Sequence, residues 1–112
     1  MTTFDEREKA FERKFALDEE LRFRATVRRN KLVGLWAAEK LGLSGADADA
    51  YAKEVIRSDF VVPGDADLFA KIRQDFDAKG VTETDAQIQV MLLESMAAAI
   101  RQIEAEAGKS GS

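Results

Sequence analysis

Carboxylates are the residues of this sequence whose number and spacing come nearest to a chemical site. The string DFDAKGVTETDA sets Asp75, Asp77 and Gly80 at the first, third and sixth positions of a calcium loop. Its fifth position is Lys79, and its twelfth, where a bidentate glutamate is needed, is Ala86. The ligand set fails there, and Gly80 reads better as a helix C-cap. Glu19–Glu20 and Asp47–Asp49 are close carboxylate pairs, but acid–base work would require burial, and in an acidic helical chain such pairs are expected on the surface. The chain has no histidine and no cysteine. It therefore lacks an imidazole proton shuttle, a thiolate, a disulfide framework and the usual ligands of zinc, copper and haem. Glycine-rich phosphate loops, serine elbows and Glu-x-x-His pairs are missing as well. No enzyme activity, metal or cofactor is expected.

Recognition chemistry is better represented. Phe4, Phe11 and Phe15, spaced by seven and four, share one face of a helix. Half of the first eighteen residues are charged, with Glu8 and Glu12 set against Lys9 and Arg13. Such a segment can become helical on a partner, its aromatic stripe entering a groove and its charges setting orientation. The next block, RFRATVRRNK, is the basic patch of the chain. Residues 1–20 sum to −3 (four basic, seven acidic), 21–40 to +5 (six basic, one acidic) and 41–112 to −6 (seven basic, thirteen acidic). Phe23 between Arg22 and Arg24 has the look of a nucleic-acid stripe. The net charge is −4 and the sequence pI 4.9, however, and no nucleic-acid-binding signature is present. The block is expected to be the solvated face of its helix, paired with acidic helices, and no nucleic acid is expected as a partner.

The elements that must carry these residues are helices. With 112 residues, 46% hydrophobic and 34% charged, the chain fits one globular domain with one modest core. No apolar run approaches the ~20 residues of a membrane span. The opening MTTFDEREKAFERKF has no apolar stretch and is not expected to act as a signal peptide. The lack of cysteine suits a reducing cytoplasm. Gly42, Pro63-Gly64 and Gly80 punctuate the chain. Ser44 with Asp47, Asp65, and Thr82 or Thr84 supply helix starts. Four helices are predicted: one ending near Leu41, then 45–61, 66–79 and 84–106, followed by the flexible tail AGKSGS.

Each predicted helix has an apolar stripe: Leu17, Leu21, Ala25, Leu32, Leu35 and Trp36; then Ala48, Tyr51, Ala52 and Val55, with Phe60 a candidate to extend it; then Leu68, Phe69, Ile72 and Phe76; then Ile88, Met91, Leu92, Met96, Ala99 and Ile103. Short connections imply antiparallel neighbours and an all-α four-helix bundle. Gly34 is placed to allow a close helix crossing, and Trp36 to pack in the core. At about 100° per residue, the phenylalanine stripe is rotated by roughly 100° from the Leu17–Trp36 face. One straight helix cannot turn both into one core. The chain accordingly divides into an N-terminal arm, 1–19, a bundle, 20–107, and a tail, 108–112.

The strings F-D-E-R-E-K-A-F-E-R-K-F-A, R-R-N-K-L-V-G-L-W-A-A-E and A-Y-A-K-E-V resemble the ζ inhibitor subunit of alphaproteobacterial-type F-type ATP synthases, and the likeness extends more loosely over most of the chain. The resemblance implies a four-helix bundle carrying a mobile inhibitory arm. That arm would enter a catalytic interface between the α and β subunits of the ATPase head, near the rotor, and block hydrolytic rotation. The contact residues it implies are Phe4, Arg7, Phe11, Arg13, Lys14 and Phe15. The expected protein is a regulatory inhibitor, monomeric when free, cytoplasmic and peripheral to the membrane-bound enzyme. The competing expectation is a bundle that senses a nucleotide or metabolite between its helices, with an incidental arm.

Overall fold

A computed structural model of the chain describes residues 19–59 and 65–110. They form four α-helices: α1 (Glu19–Lys40), α2 (Gly45–Ser58), α3 (Ala66–Lys79) and α4 (Asp85–Ser110). No strand occurs among the described residues, and the all-α four-helix architecture is the expected one. α1 packs along both α2 and α4, and α3 packs on α2.

The stops predicted at Gly42 and Gly80 form by the same mechanism. Gly42, at φ 81°, donates to the Glu39 carbonyl while Leu43 donates to that of Ala38. Gly80, at φ 72°, donates to Asp77 while Val81 donates to Phe76. Each pair closes a Schellman turn, which needs a left-handed residue where glycine carries no Cβ penalty. Thr84 rather than Thr82 starts α4. Its backbone N–H donates to Gln87 Oε1 at 2.7 Å and its hydroxyl accepts from the Gln87 N–H at 3.2 Å, a complete capping box. Ser44 occupies the N-cap of α2 but makes no side-chain cap bond. α2 ends at Ser58 rather than near 61, and α4 continues past 106 to Ser110. A single glycine costs a helix only about 1 kcal/mol, so Gly108 does not stop it.

The main core joins Val33, Ala37 and Ala38 of α1, Tyr51 and Val55 of α2, Leu68, Ile72 and Phe76 of α3, and Ile88 and Leu92 of α4. The stripes expected on α2, α3 and α4 supply it. α1 departs from expectation. Leu32, Leu35 and Trp36 are only half-buried, and the buried face is Ala25, Arg29, Asn30, Val33, Gly34, Ala37 and Ala38. Small residues win that face because α1 is pressed closely against α2. A Cβ placed on Gly34 would stand 2.8 Å from Ala52 Cα, which confirms the close crossing. Trp36 packs edge-on against Phe76, ring centroids 5.6 Å apart.

Candidate functional site

The residues expected to contact a partner, Phe4, Arg7, Phe11, Arg13, Lys14 and Phe15, lie outside the described residues. The N-terminal half of α1 is held to the far end of α4. Arg28 donates from Nη1 to Gln102 Oε1 at 3.0 Å and from Nη2 to Glu106 Oε2 at 3.1 Å. Beneath these bonds Ala25 and Ile103 are buried together. The basic block thus pairs with an acidic helix at Arg28, as expected.

Arg29 overturns that expectation one residue later. It is buried, not solvated. Its Nη1 and Nη2 donate to the two carboxylate oxygens of Asp65 at 3.1 and 2.8 Å, and its Nε donates to Asn30 Oδ1 at 2.9 Å. Asn30 Nδ2 in turn donates to Asp59 Oδ2 at 2.8 Å, an atom 3.6 Å from Arg29 Nη2. Asp65 stands at the N-cap of α3 as expected, yet makes no side-chain cap bond, because Arg29 takes its carboxylate. The Asp59 side chain is 10% exposed, and its Oδ1 has no hydrogen-bond partner. Arg29 is the cation that faces this carboxylate. The network ties both ends of the 59–65 connection to α1.

The network that joins buried Arg29 and Asn30 to half-buried Asp59 and exposed Asp65 was not singled out from the sequence. The signal was present in the spacing. Arg29 is in phase with Ala25, Val33 and Ala37 at steps of four, and Asn30 with Gly34 and Ala38. Charge type argued for solvent, whereas helical phase argued for burial.

A second polar group closes the α2–α3 contact. Tyr51 donates its hydroxyl to Asp75 Oδ2 at 2.8 Å, and Lys71 Nζ donates to the same oxygen at 3.1 Å. Lys71 also lies 3.4 Å from Glu54 Oε2 and 5.1 Å from the centre of the Tyr51 ring. Burial, then the bond to Asp75, raises the Tyr51 hydroxyl above the usual tyrosine pKa. Asp75 and Asp77, the opening positions of the calcium-like string, are thereby engaged by Lys71 and Arg73. Glu19, Glu20, Asp47 and Asp49 are exposed, as anticipated. Among the described residues no group of acidic side chains converges in a way that could hold a metal ion.

Apolar surface is also on offer. Trp36, Ala86, Val90 and Met91 line an open groove of about 360 Å³. On α4 beside it, Val90 is 48% and Leu93 72% exposed. Taken together, the described surface can grip another chain through apolar and charged contacts. No helix among the described residues is long and apolar enough to cross a membrane.

Comparison with known proteins gives this surface a context. The family model for ATPase inhibitor subunit zeta matches residues 1–102, spanning both the N-terminal segment and the bundle. A protein whose structure was determined by solution NMR is 42% identical and superposes with a TM-score of 0.69, the match covering 77% of this chain and 98% of that one. No curated relative matches the sequence.

Proposed function

The chain belongs to the ATPase inhibitor subunit zeta family, and from that premise we propose that it inhibits ATP hydrolysis by F-type ATP synthase through its N-terminal arm. This is a family of regulatory subunits, and the chain is not an enzyme. In this reading residues 1–19 enter a catalytic interface between the α and β subunits of the ATPase head, close to the rotor. Phe4, Phe11 and Phe15 fill the groove, while Arg7, Arg13 and Lys14 meet carboxylates at its rim. The mechanism is steric: a helix formed in the interface must be expelled before the head can turn in the hydrolytic direction.

The observation that carries this reading is the extent of the family match, which begins at residue 1 and so includes the phenylalanine stripe. The sequence agrees with it: the three phenylalanines share one helical face and are flanked by charges, the pattern of a segment that docks in a groove. The bundle meanwhile provides a folded base behind the arm. The protein in this reading is a free monomer in the cytoplasm that binds at the periphery of the membrane-bound enzyme.

The test is an ATPase assay on cognate enzyme lacking this subunit. A peptide of residues 1–20 should inhibit hydrolysis. A chain lacking those residues should keep the helical circular dichroism of the bundle and lose inhibition. A deleted chain that inhibits as strongly as the full one would overturn the assignment.

A further inference from the structure

The buried stripes of α1 and α4 change character at matching places. Backwards along α1 from Val33, the buried positions are Asn30, Arg29 and then Ala25. Forwards along α4 from Leu92, they are Ser95, Ala99 and then Ile103. Val33 and Leu92 belong to the main core. Ala25 and Ile103 form a separate cluster, with Leu21, Met96 and Ile100 packed against it. On both helices, then, polar or small residues hold the buried positions between the main core and that cluster. On α1 those residues are anchored elsewhere, since Arg29 and Asn30 bond to Asp65 and Asp59 rather than to α4.

We propose that residues 19–28 of α1 and 99–106 of α4 form a latch that opens as one unit while the main core stays folded. Opening separates the Ala25–Ile103 cluster and the bonds from Arg28 to Gln102 and Glu106. The Arg29 network can stay intact, because its partners lie in the 59–65 connection. Few apolar contacts and half-exposed ion pairs mark the low-stability end of a fold, where sub-global opening concentrates. An open latch bares Leu21 and Ala25 and lets the first turns of α1 move with the arm. That lengthens the segment available to a docked partner, a consequence that rests on the inhibitory reading of residues 1–19.

Native-state hydrogen exchange on the full chain tests the latch without the ATPase. Amides of residues 25–28 and 102–105 should exchange through one shared opening, about tenfold or more faster than those of residues 33, 72 and 88. Ile103→Ala should speed both sides of the latch together, and Arg28→Ala, a milder change at the surface, should do so to a smaller degree. Ile72→Val, in the main core, should speed exchange at residues 33, 72 and 88 and leave the latch amides unchanged. Equal acceleration of the latch by Ile72→Val would show a single cooperative unit and overturn the proposal. Acceleration of α4 without α1 by Ile103→Ala would show independent fraying and overturn it equally. Inhibition by the 1–20 peptide is measured separately, so a failed latch and a failed inhibitory assignment give different results.

Discussion

Arg29 and Asp65, 36 residues apart in sequence, are joined by two hydrogen bonds of 3.1 and 2.8 Å from the guanidinium to the carboxylate. The same guanidinium is the cation nearest the buried carboxylate of Asp59. Removing one partner of a buried ion pair leaves the other uncompensated, at a cost of about 3–5 kcal/mol. Arg29→Met should therefore lower the unfolding free energy in urea by about 3 kcal/mol. Adding Asp59→Leu should recover part of the loss. A double variant no more stable than the single one would show that the charge of Asp59 is not what Arg29 offsets.

Gly34→Ala sets two effects against each other. Alanine favours the helix by about 1 kcal/mol over glycine. The added Cβ would stand 2.8 Å from the Ala52 backbone, however, so α1 and α2 must move apart. Overpacking of that kind costs about 1–3 kcal/mol. The net result expected is a lower melting temperature, and Trp36 fluorescence should shift as its packing on Phe76 loosens.

Thr84→Ala removes one half of the capping box at the start of α4. The expected loss is about 1 kcal/mol, read as a reduced urea midpoint with an unchanged slope. Thr82→Ala, outside the box, should have little effect.

Tyr51 is the only tyrosine in the chain, so its ionisation can be followed in isolation. Its hydroxyl is raised above the usual value of 10.0 in the folded state, by burial first and by Asp75 second. Above pH ~10 the unfolded chain has lost that proton and the folded chain has kept it, so stability falls as pH rises. Below that pH the contribution is fully present. Tyr51→Phe should flatten this alkaline decline, at a cost near neutral pH of about 1 kcal/mol for the lost bond. An equal alkaline decline in the phenylalanine variant would assign the effect to other groups.

Within the arm, Phe11 sits between the other two phenylalanines of the stripe. A central aromatic anchor contributes about 2 kcal/mol or more to an interface. Phe11→Ala should raise the concentration for half-inhibition of ATP hydrolysis by about 30-fold. The circular dichroism of the bundle should not change.

The helices and their ends were legible in the sequence because their causes are local. Gly42 and Gly80 stop helices through their own backbone freedom, and Thr84 starts one through a residue three positions away. The apolar stripes of α2, α3 and α4 were equally plain, since large aliphatic and aromatic side chains at helical spacing leave water wherever the helices meet. What only the tertiary structure decided is which face of α1 turns inward. Leu32 and Leu35 are more apolar than Arg29 and Asn30, yet they are the less buried. The close approach of Gly34 to Ala52 sets the rotation of α1, and the carboxylates of Asp59 and Asp65 neutralise the arginine that this rotation buries. Those partners are about thirty residues away in the chain, and no local rule brings them together.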